Sequence, residues 1–312
     1  MQANFPGKRA MVVGFGSIGQ RHARVLGEMG CEVAVLSRRE IDFPRRYPTM
    51  EAALAHEHAD YVVLADRTSE HWDTLNRLAN CGFSGRVLVE KPLFDQPLPL
   101  PRHTFEQVAV AYNLRFHPLA RRLRDFLLNQ PRLVSAHAYV GQYLPQWRPG
   151  SDYRLGYSAR RAEGGGVLRD LSHELDLCHW LLGPWKRLTA QGGHFSALEI
   201  DSDDSFSLLM STERCPSVTV QMNYLDRMVK RELLVNTTDH TVRIDFVAGV
   251  FEVDGNTEML APVDRDYTYR AEHAVMLAGE TGIACSLEQG LETVVTIAAT
   301  ERAAREQQWI ER

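Results

Sequence analysis

Apolar positions in the first hundred residues come in short dense runs rather than in strict alternation. Arg9-Ala10-Met11-Val12-Val13, Glu32-Val33-Ala34-Val35-Leu36, Tyr61-Val62-Val63-Leu64 and Arg86-Val87-Leu88-Val89 each have the unbroken, β-branched character of a strand buried on both faces. Helical patterns separate them. One follows the first strand through Met29 and is closed by Gly30, a short one lies near Met50 to Glu57, and one reaches Asn80, with Ser69 as candidate N-cap. A strand from Gln107 to Tyr112 completes the series, and the four prolines between Pro92 and Pro101 exclude a regular helix before it. Alternating strands and helices specify a doubly wound parallel sheet.

Beyond Pro118 the pattern changes. A basic amphipathic helix (Leu119 to Asn129) leads to a strand near Leu133 to Val140, an aromatic- and proline-rich loop (141–157) and a helix from about Val167 to Leu182. Consecutive strands follow: Arg187 to Gln191, Ser205 to Ser211, Ser217 to Leu225, Glu232 to Asn236, Thr241 to Phe246 and Val250 to Val253. Strands in succession imply a large, mainly antiparallel open sheet with the preceding helix on one face. The expected organisation is α/β: a parallel-sheet domain over 1–118, then an α+β domain over 119–312 with a closing helix at about 287–309. On the strand Ser217 to Leu225, Val218, Val220 and Met222 oppose Tyr224 and Leu225, so both faces read as apolar.

Composition narrows the partners. A chain of 312 residues, 44% hydrophobic, exceeds the size at which one core keeps growing, in keeping with two domains. Lys and Arg number 35 against 40 acids, and a net charge of -5 leaves no electrostatic footprint for nucleic acid or an anionic membrane. A small molecule is the expected partner. Five scattered cysteines without a Cys-x-x-Cys pair read as reduced, mostly buried thiols. No apolar leader or run of ~20 apolar residues is present, so a cytoplasmic location is expected.

Three stretches carry candidate chemistry. The first strand runs directly into Gly14-Phe15-Gly16-Ser17-Ile18-Gly19 and a helix, the dinucleotide fingerprint of a Rossmann domain: glycines for a tight turn, close approach of a pyrophosphate, and helix packing. The second strand ends in Ser37-Arg38-Arg39 where an NAD site usually has an acid, so NADP(H) is the expected coenzyme, with NAD(H) as the alternative. The second stretch, Glu90-Lys91-Pro92, delivers a lysine to a strand's carboxyl end, the side of such sheets on which ligands bind. The third is Gly164-Gly165-Gly166 followed by a helix on which Leu168, Leu171, Leu175 and Leu182 form the core stripe. There Asp170, His173 and Asp176 fall at i+3 spacings, a polar ridge with a carboxylate placed to tune an imidazole. His173, Cys178 and His179 do not have His-Glu-x-x-His spacing, so no metal is expected. His71 is either a local cap or a coenzyme contact.

In this order, and together with Tyr112-Asn113-Leu114-Arg115-Phe116-His117-Pro118, these motifs resemble the Gfo/Idh/MocA family over nearly the whole chain. The resemblance implies that Lys91 lies between nicotinamide ribose and a reacting sugar hydroxyl, that His173 is the acid/base supported by Asp170, and that Lys91-Pro92 is a candidate cis bond. It places Asp66, Arg67, His71 and Glu90 on the coenzyme side, and Arg115 on the substrate. The chain departs from the family where Ala65-Asp66-Arg67 replaces a usual Thr-Pro or Asn-Pro, and where Asp170 and His173 are three rather than four apart. The run Gln142 to Arg154 resembles members from surface-polysaccharide and nonulosonic acid gene clusters, which implies a modified or nucleotide-activated sugar. Arg148, Tyr153 and Arg154 are candidate substrate ligands there, and Arg160 and Arg161 further candidate anion ligands.

The expected activity is NADP(H)-dependent hydride transfer to or from a secondary alcohol or ketone of a sugar. The alternatives are an NAD-dependent inositol or free-sugar dehydrogenase, or a non-catalytic coenzyme-binding sensor. Family members pair through the open sheet, so a homodimer or homotetramer is expected.

Overall fold

The computed structural model describes residues 4–312. It divides into two compact units: residues through Phe116 together with Asp264–Leu291, and His117–Val263 together with Glu292–Arg312.

The first unit is built on β1 (Arg9–Val13), α1 (Ser17–Glu28), β2 (Glu32–Leu36), β3 (Arg46–Tyr47), α2 (Met50–Glu57), β4 (Tyr61–Leu64), α3 (His71–Asn80), β5 (Arg86–Val89) and β6 (Gln107–Val110). The strands form one parallel sheet in the order β3-β2-β1-β4-β5-β6. The dense apolar runs mark its centre, since Met11, Val12, Val62, Val63, Val87 and Leu88 are fully buried. Two local expectations change. Ser69 lies inside a 3-10 turn (Thr68–Glu70), and α3 begins after it with no side-chain cap. β6 stops at Val110, where the ladder gives way to an antiparallel bridge with Cys285. β3 is an edge strand too short to show a pattern.

The second unit contains α4 (Pro118–Leu128), β7 (Leu133–Gly141), α5 (Val167–Asp170), α6 (His173–Leu182), β8 (Trp185–Gly193), β9 (Ser205–Thr212), β10 (Ser217–Asn223), β11 (Lys230–Thr237), β12 (Thr241–Asp245), β13 (Val250–Val253) and β14 (Asn256–Met259). Its nine-stranded sheet has the order β14-β13-β12-β11-β7-β10-β9-β8-β15, antiparallel except for the parallel pair β7 and β10, with β15 (Ile310–Glu311) at one edge. Alternate residues Val218, Val220 and Met222 of β10 join Ala136, Ala138 and Leu208 in a core with Leu168, Leu171, Leu175 and Leu182. Thr219 and Gln221 face the other way. β10 ends at Asn223, so Tyr224 and Leu225 are not its second apolar face, and that face is polar.

The helix expected over 167–182 is two, with Leu171 and Ser172 between them. This removes the continuous polar ridge: Asp170 and Asp176 are buried. The chain also returns to the first unit with a helix not expected from the sequence, α7 (Tyr267–Ala278), so the second half of the chain is not one domain. The inner face of α7 includes Thr268, Glu272 and His273 besides Met276 and Leu277. A polar buried stripe gives no hydrophobic period, which is why it escapes a pattern reading. α8 (Leu287–Glu306) ends before Trp309, and Ile310–Glu311 pairs with β8. Four of the five cysteines are buried thiols, with Cys81 exposed. Among the described residues no helix is long and apolar enough to cross a membrane.

Candidate functional site

In the first unit the turn after β1 is shaped by what surrounds each glycine. Gly14 has φ +90°, and a Cβ there would stand 2.5 Å from the Ala65 carbonyl oxygen. At Gly19 a Cβ would meet the Gly14 carbonyl at 2.2 Å, so the first turn of α1 packs directly on the loop. Gly16, the N-cap of α1, is different: nothing lies within 4 Å of the position its Cβ would take. A backbone cradle at the positive end of a 12-residue helix, open where a side chain would block it, fits a dinucleotide pyrophosphate. Phe15 packs edge-on against Phe43 at 5.5 Å, and Ser17 and Ile18 open the helix.

At the end of β2, Ser37 is buried and donates from Oγ to the Arg39 carbonyl at 3.1 Å. Arg39 donates to the Phe15 carbonyl at 3.2 Å. Arg38 binds a carboxylate that the sequence reading did not single out: its Nη2 lies 3.0 and 2.9 Å from the two oxygens of Glu70.

The Glu90-Lys91-Pro92 segment follows β5 and is anchored from beneath. The Lys91-Pro92 peptide is cis. Glu90 receives the Lys91 amide on Oε2 at 3.0 Å and faces His22 Nε2 from Oε1 at 2.8 Å. His22 Nδ1 lies 2.9 Å from His273 Nε2, and His273 Nδ1 lies 2.9 Å from the Tyr61 hydroxyl. All four side chains are buried. Burial alone would raise the Glu90 pKa, but the bond and charge of His22, with Lys91, hold it below the ordinary carboxylate range. Burial, then the neighbouring His22, pushes the His273 pKa well down.

His71 supports the same segment from the other side. Its Nδ1 lies 3.2 and 3.1 Å from the carbonyl oxygens of Pro92 and Leu93, so that nitrogen carries a proton and donates. The ring is 1% exposed, which places it under the turn. Asp66 faces it, with Oδ1 3.8 Å from His71 Nε2 and Oδ2 accepting from Thr74 at 2.5 Å. Burial raises the Asp66 pKa against the opposing pull of His71 and Thr74. Arg67 is exposed at the start of the following turn, and Arg115 is 1% exposed, donating to Gln289 at 2.7 Å within the same unit.

In the second unit Asp170 closes α5 and is held by two tyrosines that the sequence analysis does not place at a site. Tyr224 donates to Oδ2 at 2.7 Å, and the hydroxyl of Tyr157, a residue 40% exposed overall, bonds the same carboxylate. Burial, then Asp170 itself, raises both phenol pKa values well above the usual range, so both stay donors. The glycine run serves this loop: Gly165 has no room for a Cβ, which would lie 2.1 Å from the Tyr157 carbonyl, and Gly166 (φ +120°) abuts Asp203. His173 begins α6, half-buried, and Glu174 beside it pairs with Arg231 at 2.8 Å. Arg148 lies over the Tyr157 ring at 5.7 Å. Arg154 is bound by Asp152 and Glu199, Tyr153 Oη accepts the Glu199 amide, Arg160 pairs with Glu163, and the Arg161 amide donates to Asp201.

Residues 131–252 match the model of the GFO/IDH/MocA C-terminal domain. This stretch of the chain carries the Gfo/Idh/MocA C-terminal domain. An uncharacterized oxidoreductase of Synechocystis sp. is 29% identical to this chain over 160 residues, a stretch covering 48% of this chain and 41% of that protein. Among solved structures, GenD2 from gentamicin A biosynthesis in complex with NAD superimposes with TM-score 0.79 at 20% identity, covering 99% of this chain and 97% of that one. The WlbA dehydrogenase of Bordetella pertussis, in complex with NADH and UDP-GlcNAcA, gives TM-score 0.76 at 19% identity, covering 97% and 98%. At these identities the likeness is one of fold.

Proposed function

We propose that this protein is, over its whole length, a Gfo/Idh/MocA nicotinamide-dependent oxidoreductase acting on a secondary alcohol or ketone of a sugar. One observation carries the reading: the open cradle at Gly16 and the lysine after β5 belong to the carboxyl edge of one parallel sheet, with only β4 between their strands. That edge is where such sheets bind ligands. The nicotinamide, when bound, supplies hydride exchange. The chain's own residues do the rest. The Lys91 ammonium polarises the reacting oxygen and favours its alkoxide character; His173 takes the hydroxyl proton in oxidation and returns it in reduction. Asp170, fixed by Tyr157 and Tyr224, is a rigid polar anchor for the substrate side and for His173.

Within this reading the coenzyme is NADP(H) by preference, on the strength of Arg38 and Arg39, with NAD(H) accepted; the NAD and NADH in the structural neighbours named above support the class of coenzyme. The substrate is a modified or nucleotide-activated sugar, supported by the nucleotide sugar bound to the Bordetella enzyme and by the arginines of the 141–163 loop. The working form is a homodimer or homotetramer in the cytoplasm, a setting that suits five unpaired thiols.

The test is a screen of NADPH and NADH oxidation against keto-sugars, including nucleotide-activated ones, followed by Lys91→Ala. Turnover should fall by roughly 10²–10⁴-fold, the range for losing one polarising or acid–base group, while coenzyme affinity stays within a few-fold. Unchanged turnover in Lys91→Ala would remove the mechanism.

A further inference from the structure

An arginine suited to a 2'-phosphate, Arg38, is already held by the Glu70 carboxylate. Resting on the function proposed above, we propose that Glu70 is a coenzyme-selecting residue that tempers the preference for NADP(H) and keeps NAD(H) acceptable by neutralising Arg38.

 In chemical terms, the Glu70 carboxylate repels a 2'-phosphate and competes for its guanidinium partner, while leaving a ribose 2'-hydroxyl acceptable.

The topology places this pair. Arg38 follows β2 and Glu70 follows β4, and β1 lies between those strands. Neighbouring strands are about 4.8 Å apart, so the ion pair reaches across roughly 10 Å of the sheet edge, over the carboxyl end of β1 where the glycine turn begins. Arg39 closes the same side by donating to the Phe15 carbonyl within that turn. In doubly wound folds the adenosine ribose lies at the end of the second strand, where an acid accepts from the 2'-hydroxyl or an arginine meets the 2'-phosphate. This chain has no acid at the end of β2 itself, where Ser37, Arg38 and Arg39 stand. The structure brings one there from the far side of β1, 32 positions on in sequence. The Arg38 side chain is 78% exposed and that of Glu70 35%, so the pair is weak enough to rearrange when a coenzyme arrives.

The experiment is calorimetric titration of the full-length protein with NADPH and with NADH, for the parent chain, Glu70→Gln, Arg38→Ala and the double variant. Glu70→Gln should shift the ratio of the two dissociation constants toward NADPH by about tenfold, the effect of removing one close like charge at a partly exposed site. Arg38→Ala should weaken NADPH far more than NADH, and should cancel the gain when combined with Glu70→Gln. A ratio within twofold of the parent in Glu70→Gln, equal weakening of both coenzymes, or a shift toward NADH would each overturn the proposal. If the parent chain binds neither coenzyme, the functional reading itself falls and this inference with it; binding of both with an unmoved ratio removes the inference alone. Thermal unfolding of each variant separates a folding defect from a change in selectivity.

Discussion

His117 Nδ1 accepts the Leu119 amide at 3.2 Å and so caps α4, a role open only to the neutral ring. Burial, then the charge of Arg231, pushes its pKa down from 6.5 to about 4. The unfolded chain therefore takes up this proton first. The stabilisation is whole above about pH 6.5 and is lost as the pH falls toward 4. His273, depressed in the same direction, loses stability over the acid side too, whereas the raised carboxyls of Asp66 and Asp203 act oppositely, since the folded state binds their protons more readily. Because the signs differ, the test is a single substitution. His117→Asn keeps a capping oxygen but does not titrate, and it should remove about 1 kcal/mol of the stability lost between pH 7.5 and 5, allowing for partial exposure of the ring. Parallel pH profiles of denaturant unfolding for parent and variant would refute the assignment. At this scale the sequence shows residue types but not partners: Lys91 and His173 announce themselves by motif, while Tyr224 meets Asp170 from 54 positions away and His273 meets His22 from 251, separations no local pattern encodes.

The turn from β1 into α1 was readable in advance because its requirements are local: a positive φ at Gly14, contact at Gly19 and space at Gly16 all arise within a few residues. The break between α5 and α6 was not, because its leucine stripe is continuous and the interruption comes with tertiary bonds to Asp170. Two of the three glycines, Gly16 and Gly19, can be told apart by experiment. Gly16→Ala should leave thermal stability nearly unchanged, since its backbone (φ -77°) suits any residue and its Cβ meets nothing, yet weaken coenzyme binding at least about tenfold by filling the cradle. Gly19→Ala should instead cost on the order of 2–4 kcal/mol of stability, because its Cβ would collide with rigid backbone. Equal effects of the two on binding and stability would show that the space at Gly16 is not a ligand cradle.

For the whole molecule, alternation in the first third and succession of strands in the second specify both sheets, because each sheet is built largely from neighbours in the chain. What stayed hidden is the return of residues 264–291 to the first unit, since α7 is held there by polar pairs such as Asn113 with Thr268 at 3.0 Å. The large sheet also bears on assembly. Its inner face is a closed apolar core, whereas the outward residues of its central strands are polar or only partly apolar: His137 bonded to Thr219 at 2.7 Å, with Gln221, Leu209 and Leu234 nearby in register. Self-association through such a face would rest on shape and hydrogen bonding more than on apolar area, and a twofold axis would set each central residue near its own copy. The proposed dimer or tetramer should therefore sediment as two or four chains at micromolar concentration. Leu209→Lys with Gln221→Lys places like charges opposite one another across that axis, and it should yield monomers whose thermal unfolding is little changed, because neither side chain enters the core. Monomeric parent protein, or an assembly indifferent to both lysines, would move the contact away from this sheet.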